Sequence, residues 1–207
     1  MSLKFQLAHL RSQLCVTLPY PETKFTSQTV IVTGSNVGMG FEAAQHFVRL
    51  DAARVILAVR SLPRGQAAAK TIEELTGRKG IVEVWELDLL SYQSVQAFAS
   101  RVNALLDRLD VFIGNAAKYT WKFEVAEQDE STITVNVVST MLLAVLVLPK
   151  LRETSVKLQK DTILSMTGSF MHFEATLPER MSPKIFDALR DKNKARMNHR
   201  SVDPSND

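Results

Sequence analysis

Thr29-Val-Ile-Val-Thr33-Gly34-Ser-Asn-Val-Gly38-Met-Gly40-Phe41 is the stretch on which the fold turns. Its first five residues form a continuous β-branched and apolar run, the pattern of a short strand buried on both faces. Three glycines then break the run, and helical periodicity resumes over residues 41–50. Strand, glycine turn and helix in that order make the first half of a βαβ unit. A phosphate needs close approach to backbone, where a Cβ would collide, and glycine removes the collision while permitting positive φ. The helix behind the turn adds unpaired N–H groups and the positive end of its dipole. The context therefore predicts a dinucleotide site rather than a bare tight turn.

Reading outward, the same alternation continues. Strands are expected at 54–59, 82–89, 109–113 and 162–166, with helices at 63–75, 95–106 and 129–151. Pro63 suits a first helical turn, and the acidic residues near 129 suit the dipole of the long helix. Strands alternating with helices imply an α/β fold: a doubly wound, Rossmann-type parallel sheet of five strands with helices on both faces. After Ser169 the signal decays, with breaks at Pro178 and Pro183. Residues 190–200 carry five basic residues and one acid, which reads as a solvated helix face. Residues 1–27 read as a helical extension, 28–200 as the nucleotide-binding domain, and 201–207 as a frayed tail. In the extension, Leu3, Phe5, Leu7, Leu10 and Leu14 make an apolar stripe ended by Pro19 and Pro21. Such a stripe packs on the domain's own core or a partner subunit, or lies on a membrane surface.

Composition narrows the function classes. The chain has 207 residues, 45% hydrophobic and 23% charged, which is one ordinary globular domain and not a disordered segment. A net charge of +3 is too small and dispersed to argue for nucleic acid. A single cysteine, Cys15, cannot form an internal disulfide and points to a reducing compartment, hence the cytoplasm. His9, His46, His172 and His199 do not fall at ligand spacing, so no metal is expected. Lys4, Gln6, His9 and Arg11 break any signal-peptide core. The longest apolar stretch, residues 133–148, is interrupted by Asn136, Ser139 and Thr140 and falls short of the roughly 20 residues of a membrane span. It reads as a buried helix.

The second strand ends Ala58-Val59-Arg60-Ser61, without the acid that would hold a ribose 2′-hydroxyl. A planar guanidinium at Arg60 matches a 2′-phosphate instead, so NADP is favoured over NAD.

Taken in order, Thr33-Gly34-x-x-x-Gly38-x-Gly40, Leu87-Asp88-Leu89, Asn115-Ala116-Ala117, Asn136-Val137 and a strand end bearing Ser169 resemble the short-chain dehydrogenase/reductase family over about residues 28–196. The texture of VRSLPRGQAAA, TVNVVST, LPKLRET and KARM is similar to fungal members serving secondary metabolism. The resemblance implies reduction of a ketone, or oxidation of a secondary alcohol, on a small hydrophobic metabolite. It also implies roles. Gly34, Ser35, Asn36, Gly38 and Gly40 would line the cofactor phosphates, and Arg60 would reach the 2′-phosphate. Asp88 would bond the adenine, and Asn115 and Ala116 would flank its ribose. Asn136, expected to be buried, would hold a water in a proton relay or serve a structural role. Ser169, preferred over Ser165, would bond the substrate carbonyl.

Three departures from the family stand out. Ala117 replaces a usual glycine, and Asp51 follows the first helix where glycine is common; Asp is among the better non-glycine residues at positive φ. The family's tyrosine, with a lysine four residues on, is absent after Tyr119, and Tyr20 to Lys24 straddles Pro21 before the first strand. The expectation is a chain truncated before that pair, with its fifth strand left as an apolar edge that invites association with a second copy. Its rivals are a nucleotide-binding or interaction module without catalysis, and a product that never folds stably.

Overall fold

Residues 3–169, 177–195 and 197 are described by the computed structural model. Its centre is the pair of strands whose runs are most uniformly apolar. Strand β1 (Thr29–Thr33) is buried throughout, and β2 (Arg54–Val59) is buried beyond its first residue. They pair in parallel, with Val30 opposite Val55 and Val32 opposite Leu57. Strand β3 (Val82–Glu86) adds outside β2, and β4 (Val111–Gly114) adds on the other side of β1. A two-residue hairpin, β5 (Val125–Ala126) with β6 (Asp129–Glu130), stands apart from the sheet. Strand β7 (Ile163–Met166) closes a five-stranded parallel sheet of order β3-β2-β1-β4-β7.

Helices cross over on both faces, as a parallel sheet requires. Helices α2 (Gly38–Arg49) and α3 (Leu62–Thr76) cover one face. Their Ala44, Val48, Ala68 and Ile72 meet Val30, Val32, Val55 and Leu57. Helices α4 (Tyr92–Leu105) and α5 (Ser131–Leu158) cover the other, where Phe98, Val102, Leu143, Val147 and Leu151 meet Ile31, Ile56, Trp85 and Phe112. Alternate residues of β1 thus face opposite cores, as the period of two demands. Gly65 lets α3 approach closely: a Cβ there would lie 2.6 Å from Val59 Cγ2. Asp51 holds φ +68 after α2, and Lys24 lies 2.8 Å from its carboxylate. That hydrogen bond outweighs desolvation and holds the carboxyl below its ordinary range.

Several expected boundaries move. Helix α2 starts three residues earlier, at Gly38, so two of the three turn glycines lie inside it. Strand β3 ends at Glu86 rather than 89, and β4 starts at Val111 rather than 109. Asp129 and Glu130 belong to the hairpin, and α5 begins at Ser131, where the Glu130 carboxylate accepts from Thr132 N at 3.0 Å. Helix α5 runs on to Leu158, through the polar turns that follow Leu151. It is long and apolar enough to cross a membrane, yet 56% of its apolar window is buried in the domain. The buried-helix expectation describes that face.

Helix α1 (Leu3–Cys15) forms in the expected place, but Leu7, Leu10 and Leu14 are exposed and do not pack on the domain. The segment behind it is strapped down. Phe25 N donates to Leu50 O at 2.7 Å, Arg49 donates to Pro21 O, and the Arg49 guanidinium lies 4.0 Å over the Tyr20 ring. Strand β7 is the sheet's outer edge, with Ile163 49% exposed and Leu164 and Met166 exposed beside it. Helix α6 (Ile185–Arg190) returns to the body through Arg190, which donates to the buried Asp129 at 2.7 Å. The tail at 201–207 lies outside the described residues, as do most of residues 170–176 and 196–200 of the decaying region and basic segment.

Candidate functional site

The chain leaves β1 for β2 and β3, then returns to β4 on β1's other side. Strand order therefore reverses between β1 and β4, and such a switch point opens a crevice beyond the carboxyl ends of the strands. A cleft of about 400 Å³ lies there. Gly34 and Asn36 line it from the turn after β1, and Arg60, Ser61 and Arg64 from the end of β2 and the first turn of α3. Leu87 to Leu90 line it after β3, Ala116 to Tyr119 after β4, and Val135 from α5.

The turn is locked to the end of β4. Thr33 Oγ1 accepts from Asn115 N and Ala116 N, both at 2.9 Å, and Asn115 Nδ2 donates to Thr33 O at 3.0 Å. The glycines have different reasons for being glycine. At Gly34, with φ +64, a Cβ would lie 2.8 Å from Ala116 Cα, so this position serves the approach of the two turns. At Gly40 a Cβ would lie 2.7 Å from Gly34 O and closer still to the Asn115 amide, so it lets α2 dock on the lock. Only Gly38, with φ +61, has open space where a Cβ would stand. Gly40 is buried, and so is Ser35, whose hydroxyl donates inward to Val32 O at 2.7 Å. Ser35 and Gly40, expected beside the phosphates, are not among the residues lining the cleft, and their buried atoms shape the turn.

Arg60 is exposed in the cleft, and Arg64, one helical turn on, stands with it. Neither guanidinium has a salt-bridge partner among the described residues. Asp88 is half-buried; its Oδ1 accepts from Leu90 N at 2.9 Å, while its backbone N–H donates to Ser94 Oγ, also at 2.9 Å. The Asp88 side chain lines the cleft, and no hydrogen bond to its Oδ2 is found among the described residues.

Asn136 is exposed, contrary to the expected burial, and sits in a π-helical segment of α5 (Thr134–Ser139). Its side chain clamps the loop after β4: Oδ1 accepts from Lys118 N at 2.7 Å and Nδ2 donates to Lys118 O at 2.8 Å. The wider π turn lets one side chain reach both groups of a neighbouring residue, and such bulges are frequent at functional sites. Lys118 Nζ in turn bonds Glu124 at 2.8 Å and holds that carboxyl below its ordinary range. Ser169 is exposed three residues past β7, at the carboxyl edge of the sheet; it is not among the residues lining the cleft. Ser165 lies within β7, opposite Ile113. Sequence reasoning missed Arg64 and Tyr119. The signal for Arg64 was its spacing of four from Arg60 across a Pro63-started helix; Tyr119 carried none.

The sequence model of the short chain dehydrogenase family matches residues 28–168. The chain is 47% identical over 194 residues to the short-chain dehydrogenase anuD of Penicillium roqueforti, covering 94% of this chain and 50% of that protein. It is 46% identical over 189 residues to the short chain dehydrogenase/reductase dmxR8 of a Cryptosporiopsis species, covering 90% and 58%. It thus spans about half the length of these curated relatives. Among solved structures, a short chain dehydrogenase from Escherichia coli CFT073 complexed with NADPH is 29% identical, with a TM-score of 0.59 over 80% of this chain and 66% of that one.

Proposed function

Because the chain belongs to the short-chain dehydrogenase/reductase family, we propose that its cleft binds NADP and that the protein interconverts a ketone and a secondary alcohol on a small hydrophobic metabolite of fungal secondary metabolism, in the cytoplasm. One observation carries the cofactor choice. Two guanidinium groups without salt-bridge partners, Arg60 and Arg64, share the end of the cleft where a ribose 2′-substituent would lie, and no carboxylate follows β2. A 2′-phosphate brings charge for both and a 2′-hydroxyl brings none. The NADPH complex of the Escherichia coli relative supports the same choice.

The residues present fit the group. Gly34 and Asn36 border the cleft where a phosphate would lie, the Asp88 carboxylate accepts from the adenine amino group, and Ala116 backs the ribose. When bound, the nicotinamide supplies or accepts a hydride. The chain's own part is positioning. The Thr33–Asn115 lock holds the turn, and Asn136 fixes the loop through Lys118 while keeping one N–H and one lone pair for a water. Ser169 donates to the substrate's carbonyl oxygen. A proton for the nascent alkoxide needs a general acid, and none of these 207 residues beyond Tyr119 is a tyrosine. That observation favours a second reading for these residues on their own: nucleotide binding with little turnover, since a positioned acid contributes about 10²–10⁴-fold.

Titration with NADPH and NADH tests the first part. NADPH binds more tightly, and Arg60→Ala costs about 1.5–3 kcal/mol of that affinity, the value of hydrogen bonds to a charged group. Equal affinities in the unmodified protein overturn the 2′-phosphate assignment. Both readings expect NADPH to raise the melting temperature; turnover of carbonyl substrates separates them.

A further inference from the structure

We infer that Tyr119 is the stacking residue of this cleft, its ring covering a face of the adenine and setting affinity for the adenosine half whatever the ribose carries. The inference rests on the proposed dinucleotide reading and adds the group that holds the base. A purine offers a polar edge and two apolar faces. The cleft supplies the edge partner, Asp88, and it also presents one aromatic ring, Tyr119, on the same lining. Tyr119 is 78% exposed, and its hydroxyl has no partner among the described residues. An aromatic side chain left in water forfeits the burial that its area would otherwise gain.

The ring is held ready for a ligand. Its neighbour Lys118 is pinned at both backbone groups by Asn136, at 2.7 and 2.8 Å, so the main chain that carries the ring is fixed. Behind it stands Trp121, packed edge-to-face at 5.1 Å between centroids and 76° between planes. The contact with Trp121 steadies the ring, and most of its surface stays exposed beside the cleft. The basic groups of the lining, Arg60 and Arg64, lie after β2, on a different segment from the ring. Stacking is blind to the 2′-substituent, which gives the two groups separable signatures.

Calorimetric titration of the 207-residue chain with 2′,5′-ADP, 5′-ADP and inorganic pyrophosphate tests this. Tyr119→Ala weakens both nucleotides by the same factor, about 5- to 150-fold, the range for a base on an aromatic ring. It leaves pyrophosphate unchanged, and Tyr119→Phe restores nucleotide binding. Arg60→Ala, in contrast, weakens 2′,5′-ADP alone. The inference is overturned if Tyr119→Ala leaves both nucleotides unchanged, if Phe does not restore binding, or if pyrophosphate weakens in parallel, which would mean a displaced loop. Failure of the unmodified chain to bind either nucleotide would instead overturn the dinucleotide reading beneath it.

Discussion

Gly40→Ala sets two effects of opposite sign against each other. Gly40 lies in the first turn of α2, and alanine there gains about 1 kcal/mol of helix propensity. The new methyl, however, would stand 2.7 Å from Gly34 O and 3.1 Å from Ser35 Cα, and nearer still to the Asn115 amide. Two of those atoms are main chain and cannot swing aside. Asn115 must leave its 3.0 Å bond to Thr33 O, which costs about 1–3 kcal/mol where the carbonyl is left unsatisfied. Shifting α2 away from the turn adds about 1–3 kcal/mol of overpacking. The clash wins, by about 3 kcal/mol at the centre of these ranges. A domain of this size loses about 2–4 °C per kcal/mol, so circular dichroism should show the midpoint falling by about 6–12 °C. Gly40→Ala with Asn115→Ala should recover only part of this, because Gly34 O remains. An unchanged or raised midpoint for the single variant refutes the account of Gly40 as a docking contact.

Asn136→Ala should expose the Lys118 amide to hydrogen exchange and weaken NADPH, at a stability cost of about 1 kcal/mol because the site is solvent-exposed. Exchange at Lys118 unchanged from the unmodified protein counts against the clamp. Arg190→Ala should free α6, with proteolytic nicking near residues 185–190 as the readout. Its cost falls well below that of a fully buried pair because the guanidinium is 40% exposed. Glu83 accepts from Arg54 at 2.6 and 2.9 Å and from Trp85 Nε1, and the Arg54 bond above all holds its carboxyl below the ordinary 4.5. A depressed carboxyl contributes stability above 4.5 that disappears as pH falls through the lowered value. Glu83→Gln should therefore lower the midpoint at pH 7 and flatten the acid limb of the melting profile below about pH 4.5.

The centre of this fold was legible and its margins were not. Strands β1 and β2 lie between two helical layers, so every residue beyond Arg54 at the start of β2 is apolar or small and the run announces itself. The start of α5 was hidden because Asp129 and Glu130 suit a helix's first turn as well as they suit a hairpin whose carboxylates bond Arg190 and Thr132. The burial of Asn136 was misjudged for a related reason. Helix α5 carries Val137, Met141 and Val145 on its exposed face as well as Leu143 and Val147 inside, so periodicity does not say which side is covered. The glycine turn revealed its location but not its division of labour. Two of its glycines are glycine because protein, not phosphate, presses against them, and that pressure comes from Ala116 and Asn115, which are remote in sequence.

The knot of Thr33 with Asn115 and Ala116 joins two loops that are otherwise separated by three crossovers. Neither loop can rearrange without breaking bonds of the other, so a nucleotide arriving here meets a finished receptacle and loses little entropy ordering it. Stopped-flow association should accordingly show a single phase whose rate climbs in proportion to concentration, without the plateau that a closing step imposes.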